Sequence, residues 1–487
     1  MIAALAFGVY ANSLSNPFVW DDPLFIVANP SIRSLSHVPS FFTKPWASER
    51  AQARYKKQGA IGWRPLALTS YSIDYALFGL SPTGFRISQL LLHLTASLAF
   101  LALARSLVPG VASLAVAAIF AVHPLHSEAL NVVTYRTTLL FSLFYLLGLA
   151  AHVWGRRRGL RWPTLTLVPL AYAASCLSKE PGITLAAAVV WFDLATRRFV
   201  WRRVVDYLPL ACVGAGYLVA RALITEAPHY NVFEGLAGWQ VALTQLKVLA
   251  LDLSLLVWPE PLCAFYDWAI LPPVTSLGDL QAIAGLLALT SLLALGAVAL
   301  RRRIDIAAFA TGWFILALLP YAHIIPHFDI AGDRFVYLPS AAFLLGLCDI
   351  VTRLCTSRGA VSPHSEAASG PPASAGYNAE ADSGAPVSST RGVRWLLVAG
   401  LLITLAYGAL TIRRNTHWSS SQRMHEQMAR DFPYGINAHI ELGKIYYRSG
   451  RYRDAIRHLR RALQIAPTLA PARRLLEQSE RRLKERP

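Results

Sequence analysis

Residues 280–303 read LQAIAGLLALTSLLALGAVALRRR. The run carries no charged residue from 280 to 300 and then ends in three arginines. A membrane-spanning helix needs about 20 consecutive, mostly apolar residues, and arginines collect at the cytoplasmic ends of such helices. The stretch therefore predicts a transmembrane helix whose C-terminal end faces the cytoplasm.

The composition of the whole chain agrees with a membrane protein. Of 487 residues, 54% are hydrophobic and 15% are charged, whereas typical soluble domains contain about 25% charged residues. Lys and Arg number 46 against 28 Asp and Glu, which gives a net charge of +18. This balance excludes disorder over most of the length and favours a polytopic membrane protein over a nucleic-acid binder. The five cysteines form no CxxC pair, so we expect buried apolar residues rather than a disulfide or zinc framework.

The sequence predicts an all-α protein, a polytopic transmembrane helix bundle with about eleven spans. The opening run 1–14 lacks a basic n-region and a cleavage site, so we expect a first helix with a truncated or misassigned start rather than a cleaved signal peptide. Residues 236–258 are apolar but contain Lys247 and Asp252, which predicts an interfacial or re-entrant helix. The other candidate spans are 87–108, 111–123, 137–154, 163–178, 182–196, 204–222, 280–300, 304–322, 335–354 and 394–412.

Basic residues orient the bundle. With a cytoplasmic N-terminus, the inside loops hold the arginine clusters, and each of three short outside loops holds one basic residue: Arg136, Lys179 and Arg334. The positive-inside rule favours this orientation. It puts a long loop, 15–86, outside, and a Ser-, Ala-, Pro- and Gly-rich linker at about 356–392 inside, where we expect disorder. The abundance of Arg and Ala suggests a GC-rich bacterium, so the predicted location is the inner membrane.

The tail, 413–487, is predicted to emerge on the outside, the periplasmic side, as a domain separate from the membrane domain 1–412. Residues 436–469 match a tetratricopeptide repeat of 34 residues, with small or apolar residues in the expected register. One repeat cannot bury a solenoid core, so the tail either docks on the membrane domain or pairs with another chain. Its net charge of +10 favours anionic lipid or an acidic protein partner over nucleic acid.

Two polar motifs stand at predicted outside ends of the spans. Asp21-Asp22 follows the first span in NPFVWDDPLF, and paired carboxylates beside an apolar wall can form a general base. The alternative for this pair is a helix cap or turn. The second motif is His123-Pro-Leu-His126-Ser-Glu128. Its residues fit a metal site, the wall of a polar site without metal, or capping of a helix that begins at a proline.

Further charged residues share the same face. Lys179-Glu180 lies in a tight turn, where it serves a site or forms a self-contained ion pair. Asp333-Arg334 is followed by Tyr337; an arginine fork suits phosphate, although such a pair is also an ordinary surface feature. Arg64 opens an amphipathic stretch and Arg86 precedes the second span. Acidic, basic and histidine residues thus gather above an apolar bundle, as expected for a site that takes a polar lipid headgroup.

The motifs together resemble a known family. The run 10–22 (YANSLSNPFVWDD), Trp63-Arg-Pro-Leu66, the His123–Glu128 motif, Ser178-Lys-Glu180 and Asp333-Arg-Phe-Val-Tyr-Leu-Pro-Ser340 resemble the transmembrane and tetratricopeptide-repeat-containing proteins. These are GT-C glycosyltransferases related to the protein O-mannosyltransferases. The resemblance covers essentially the whole chain, although family members usually carry many more repeats.

The resemblance implies an enzyme that transfers a sugar, typically mannose, from a polyprenyl phosphate to Ser or Thr hydroxyls of proteins on the non-cytoplasmic side, with inversion. By this resemblance, one residue of the pair Asp21-Asp22 is the catalytic base, and Asp21 is favoured. Arg334 is the first candidate for the donor phosphate, and no metal is required if cationic residues supply the charge. The other candidate donor- or acceptor-binding residues are Arg64, Arg86, His123, His126, Glu128, Arg136, Lys179, Glu180, Asp333 and Tyr337.

Three other functions are compatible with the sequence. The acceptor could be a glycan or a lipid instead of a protein. A transporter or flippase would place charges near the bilayer midplane and often contain inverted repeats, but here the charges lie at one outer face and no internal symmetry is visible. A non-catalytic scaffold would use the repeat to recruit a partner.

Overall fold

The computed structural model describes residues 1–45, 62–108, 110–225, 231–357 and 388–485, and within these ranges the regular structure is entirely helical. The predicted all-α class is confirmed. Residues 358–387, most of the predicted linker, lie outside the described ranges. The predicted domain boundary at 412 falls inside a helix that continues to His417.

Eighteen α-helices of five or more residues occur in the described ranges. They are α1 (Ile2–Tyr10), α2 (Pro65–Phe78), α3 (Pro82–Arg105), α4 (Gly110–Val122), α5 (Ser127–Asn131), α6 (Arg136–Arg158), α7 (Leu167–Ser178), α8 (Thr184–Ala195), α9 (Leu208–Ile224), α10 (Gly238–Val257), α11 (Leu280–Arg301), α12 (Asp305–Leu318), α13 (Tyr337–Ser357), α14 (Ser388–His417), α15 (Ser421–Asp431), α16 (Ile436–Arg448), α17 (Tyr452–Ile465) and α18 (Ala470–Lys484).

Seven helices in the described part of the chain are long and apolar enough to cross a membrane, or eight with the bent pair α4 and α5. The predicted number of about eleven spans is not confirmed. Two of the predicted spans form helices α7 and α8 of only 12 residues each, and 12 residues cover about 18 Å at 1.5 Å per residue. Each of these helices is therefore shorter than the apolar core of a bilayer.

The arginine-bearing loops meet at one end of the bundle, which we call the arginine face. Arg197 donates to the Leu300 carbonyl at 2.6 Å, and Arg198 donates to the Arg156 carbonyl at 2.7 Å. Sequence-distant arginine clusters therefore lie together, as the topology requires. Which side of the membrane this end faces stays a prediction.

Helix α10 has both ends at the opposite end of the bundle, which we call the site face. Just before the helix, Phe233 packs on His323 with ring centroids 4.7 Å apart. At its C-terminal end, the Leu256 carbonyl lies 3.2 Å from His123 Nε2. Although α10 is long enough to cross a membrane, these contacts support the predicted interfacial placement.

The tail docks on the membrane domain, which is one of the two predicted alternatives. Trp418, Met424, Met428 and Ala438 share a buried cluster with Val19 of the first loop. The Asp267 carboxylate also accepts from the backbone amide of Asn437 at 2.8 Å. Within the repeat, an added Cβ at Gly443 of α16 would lie 2.6 Å from Leu459 of α17, so the small residue permits close helix packing. The tail is thus anchored to the membrane domain through α15 and the start of α16, while the rest of the repeat buries its apolar residues against α18.

Helices α10 and α11 touch through the backbone at Gly285. An added Cβ there would lie 1.8 Å from the Leu246 carbonyl oxygen, a distance that only a backbone shift can relieve.

We expect Gly285→Ala to lower the thermal unfolding midpoint of the purified protein. The matched control is Gly216→Ala in α9, where no atom lies within 4 Å of the added Cβ and alanine should be neutral or stabilising. Equal midpoints for the two variants would contradict the contact.

Candidate functional site

The loop that follows α1 is held in place by Arg86. This side chain is 1% exposed and donates to the Asn16 carbonyl at 2.8 Å, to the Pro17 carbonyl and, at 2.7 Å, to the Asn131 carbonyl. Three backbone acceptors occupy the guanidinium, so Arg86 organises the loop rather than binding a ligand. The predicted donor- or acceptor-binding role of Arg86 is therefore not supported.

Asp22 anchors the same loop to the start of α6. Its side chain is fully buried and accepts from Thr134 N at 2.8 Å, from Thr134 Oγ1 at 2.7 Å and from Val19 N at 3.2 Å. Burial raises the pKa of Asp22, while the positive charge of Arg86 and the Thr134 hydrogen bonds act in the opposite direction. Asp22 therefore fits the second interpretation of the Asp21-Asp22 pair, in which the carboxylate stabilises a turn.

Asp21 lies beside the charged cluster and is only half-buried. Its backbone carbonyl accepts from the amides of Leu24 and Phe25. The Asp21 carboxylate acts electrostatically on Tyr135, as do Arg334, Glu128 and Asp329. The two adjacent aspartates thus differ: Asp22 is enclosed by protein donors, and Asp21 is the more accessible carboxylate.

Arg334 is held between two carboxylates. Its Nη1 donates to Glu128 Oε1 and its Nη2 donates to Asp329 Oδ2, both at 2.6 Å. Glu128 also accepts from the Arg334 backbone amide at 2.7 Å. The guanidinium lies 4.2 Å from the centre of the Tyr135 ring. Sequence reasoning missed Asp329 and Tyr135; an acid five residues before Arg334 was the available signal for Asp329.

Lys179 and Glu180 do not pair with each other as a self-contained turn. Lys179 Nζ donates to Thr138 Oγ1 at 2.9 Å and lies within 5.7 Å of the ring centres of Phe141, Tyr321 and Phe335. Glu180 instead forms an ion pair with Arg64 at 3.0 Å. The alternative of a self-contained ion pair between Lys179 and Glu180 is therefore wrong, and both residues take part in the cluster.

Charges of both signs surround Lys179. Burial lowers the pKa of Lys179 well below its ordinary value, the charges of Arg64 and Arg334 act in the same direction, and the carboxylates of Glu180 and Asp329 act in the opposite direction. A lysine in this situation is stabilised in its charged form by an incoming anion. The side chain of Arg64 is 21% exposed, against 8% for Arg334, so Arg64 is the more accessible of these two arginines.

The remaining predicted site residues lie in the protein interior. Arg136 pairs with Asp74 at 2.6 Å, and Asp333 accepts from the Tyr266 hydroxyl at 2.8 Å. His123 Nδ1 accepts from the Leu125 amide at 3.3 Å, which is the capping alternative. His126 hydrogen-bonds Ser340, and Tyr337 hydrogen-bonds His93.

These contacts change the predicted roles of four residues. Arg136, His123, His126 and Tyr337 are buried with protein partners, so direct ligand binding by them is not supported. Glu128 stays a candidate site residue because it forms an ion pair with Arg334. Among the described residues, no group of three or more His, Cys, Asp or Glu side chains could hold a metal ion, and the metal alternative for the His123–Glu128 motif has no geometric support.

Fold and site together define the class of protein: an all-helical polytopic membrane protein with a charged cluster at one end of its bundle and a docked helical tail. Residues 436–469 match the tetratricopeptide repeat family model. The chain is 24% identical over 482 residues to a protein O-mannosyl-transferase of Caenorhabditis elegans. The match covers 96% of this chain and 62% of that relative. It is 31% identical over 299 residues to protein O-mannosyl-transferase Tmtc2 of Drosophila melanogaster, covering 57% of this chain and 31% of the relative.

The predicted family resemblance is therefore confirmed by these curated relatives, although the chain spans less than two thirds of their length. Among solved structures, the chain is similar to ArnT from Cupriavidus metallidurans bound to undecaprenyl phosphate. The TM-score is 0.41 at 16% identity, and the match covers 91% of this chain and 80% of ArnT.

The Arg64–Glu180 pair predicts a pH dependence of stability. Burial by itself would raise the pKa of Glu180, but the charges of Arg64 and Arg221 hold it below its ordinary value. A depressed carboxyl pKa stabilises the fold above the unfolded value of about 4.3, and this contribution is lost as the pH falls through the folded value. Glu180→Gln should therefore destabilise the protein at neutral pH by about 1 kcal/mol or less, because the pair is partly exposed.

The measurement is the unfolding midpoint of both proteins across acidic to neutral pH. The difference between wild type and Glu180→Gln should shrink as the pH falls. Glu477→Gln, which removes an exposed carboxylate of α18, is the matched control and should show no such trend. A difference that stays constant with pH would argue against the ion pair as its source.

Proposed function

We propose that this protein is a membrane glycosyltransferase that moves mannose from a polyprenyl-phosphate donor to Ser or Thr hydroxyls of proteins at its site face. The similarity to protein O-mannosyl-transferases supports the reaction class. The observation that carries the assignment is the division of roles in Asp21-Asp22: Asp22 is fully enclosed by hydrogen bonds from Thr134 and Val19, whereas Asp21 is half-buried beside Tyr135.

Asp21 is the proposed general base. Its carboxylate takes the proton of the acceptor hydroxyl as the hydroxyl oxygen attacks the anomeric carbon of the sugar. The bond from that carbon to the lipid phosphate oxygen breaks in the same step, and the phosphate leaves with the electron pair. A single displacement of this kind inverts the anomeric centre. Asp22 serves as a positioning residue that fixes the backbone next to the base.

Lys179 and Arg64 are the proposed partners of the leaving phosphate. Arg334, the first candidate from the sequence, has both guanidinium ends on carboxylates, so it positions Glu128 and Asp329 instead. Lys179 has a hydroxyl and three aromatic rings around its ammonium group, and its nearest electrostatic neighbours include two arginines. A phosphate between Lys179 and Arg64 would stabilise the buried ammonium group in its charged form.

The base assignment predicts a difference between the two aspartates. In membranes supplied with a polyprenyl-phosphate mannose, Asp21→Asn should reduce transfer by about 10²- to 10⁴-fold, the usual contribution of a general base, and should lower the unfolding midpoint less than Asp22→Asn does. Asp22→Asn should lower the midpoint as well as transfer, because the buried hydrogen bonds of Asp22 are part of the fold. Transfer is measured by the mass shift of an acceptor protein.

The matched control for Asp21→Asn is Asp305→Asn, which removes a carboxylate at the arginine face, where Asp305 lies 3.5 Å from Arg197. This variant should transfer mannose at the wild-type rate. Undiminished transfer by Asp21→Asn would rule out Asp21 as the base. If all variants and the wild type leave the acceptor mass unchanged while a glycan or lipid acceptor is labelled, the protein acceptor is wrong and the donor chemistry stands.

We also propose that transfer needs no metal ion, since Lys179 and Arg64 supply the positive charge. Adding a chelator such as EDTA to the membrane assay should therefore leave the rate unchanged. Lys179→Gln should reduce the rate in the presence or absence of added Mg²⁺ or Mn²⁺. Loss of transfer with EDTA and its recovery with a divalent cation would overturn the metal-free mechanism.

A further inference from the structure

The membrane domain and the tail enclose a cavity of about 280 Å³ at the site face. Its walls come from the C-terminal end of α14, from the segment 258–262 and from α15 of the tail. None of Asp21, Arg64 and Lys179 lines it. The cavity is therefore separate from the cluster to which the transfer reaction is assigned.

Arg414 is the distinctive group of this cavity. It is only 8% exposed and lines the cavity wall. Among the described residues, its Nη1 lies 3.5 Å from His417 Nδ1, and its buried Nε has no hydrogen-bond partner. A guanidinium carries five donors and is always charged, so a buried arginine with an unused donor needs an acceptor, and an anion is the best one.

The other charged groups of the cavity also have hydrogen-bond partners. Arg413 forms an ion pair with Glu260, and the Asp431 carboxylate accepts from the neutral side-chain amide of Gln427 at 2.8 Å. On the interior side of Arg414, the Asp333 carboxylate already accepts from Tyr266. Arg414 also acts electrostatically on Asp333, but among the described residues no carboxylate lies within ion-pair distance of its guanidinium, and its Nε has no hydrogen-bond partner.

The mouth of the cavity lies at the edge of the apolar bundle. Trp258, one of the lining residues, is 69% exposed, and Leu405, little more than one turn below the lining residue Leu410 on α14, is 58% exposed. Exposed apolar side chains on a spanning helix face lipid, and tryptophans concentrate at the level of the headgroups. The cavity therefore opens where phosphate groups of lipids are found.

We propose that this cavity binds a phosphate group on Arg414, at the joint between the last membrane helix and the tail. The planar donor fork of arginine matches phosphate oxygens, and the apolar prolines and leucines of the walls suit the ester substituent. The phosphate comes from an anionic lipid headgroup or from a soluble phosphate. Because the cavity is built from both α14 and α15, its occupant stabilises the docked position of the tail.

The test uses the full-length protein in phosphate-free maltoside micelles, with tryptophan fluorescence as the readout of thermal unfolding. One arm adds phosphatidylglycerol, another adds inorganic phosphate, and a third adds chloride at matched ionic strength. A ligand that binds the folded state raises the unfolding midpoint in proportion to its occupancy. We expect phosphatidylglycerol or inorganic phosphate, and not chloride, to raise the midpoint of the wild type.

Two variants change the cavity from opposite walls. Arg414→Gln should weaken the apparent affinity by about 10- to 100-fold, the usual value of charge-assisted hydrogen bonds. Gln427→Glu places a negative charge on the tail wall and keeps Arg414 intact, so it should weaken binding even if Arg414→Gln folds poorly. Arg430→Gln, which removes an exposed charge from α15 outside the cavity, is the matched control and should respond as the wild type does.

Each outcome is decisive. A shift with phosphatidylglycerol alone identifies a lipid headgroup, and a shift of similar size with inorganic phosphate identifies a soluble ligand; both support the site if the two cavity variants lose it. The proposal is overturned if the wild type shows no shift with either compound, or if Gln427→Glu and every folded Arg414 variant keep the full shift.

Discussion

The buried carboxylate of Asp22 connects the parts of this protein that matter for its site. It ties the loop after α1 to Thr134 at the start of α6 through bonds of 2.7 and 2.8 Å. Arg86 fastens the same loop to the Asn131 carbonyl. A carboxylate in a dry environment is costly unless it is fully hydrogen-bonded, so this arrangement leaves the loop little freedom. Because the loop is held in this way, the position of the adjacent residue Asp21 is fixed as well.

The constraint extends from the loop into the tail. Trp20, next to Asp21, has a φ of +59°, a value that non-glycine residues adopt only when their surroundings impose it. The Trp20 ring stacks on His425 of α15 at 5.6 Å and packs near Phe265. The tail therefore packs on the loop that carries the proposed base through α15, whereas the apolar faces of the single repeat are buried among α16, α17 and α18.

Charged side chains form contacts at both ends of the bundle. At the arginine face, Arg197 contacts the Leu300 carbonyl and Asp305, and Arg156 contacts Asp193 and Asp206. At the site face, Arg64 pairs with Glu180, Arg334 pairs with Glu128 and Asp329, and burial lowers the pKa of Lys179. The net charge of +18 thus arises largely from the arginine face and the tail, whereas the groups proposed for chemistry are close to charge balance.

The sequence by itself determined the helical class, the apolar segments, the repeat at 436–469 and the set of polar residues from which the site is drawn, because hydropathy and motif spacing are local properties. Local signals did not separate Asp21 from Asp22, nor Lys179 and Arg64 from Arg86 and Arg136, and only the family resemblance favoured Asp21. The tertiary structure distinguishes these residues by burial: Arg86 and Asp22 are enclosed by protein donors and acceptors, while Asp21 and Arg64 keep exposed surface, and the proposed roles rest on this difference. Tyr135 and Glu128 lie far from Arg334 along the chain, and Glu180 lies far from Arg64, so only the packing of helices brings these residues together.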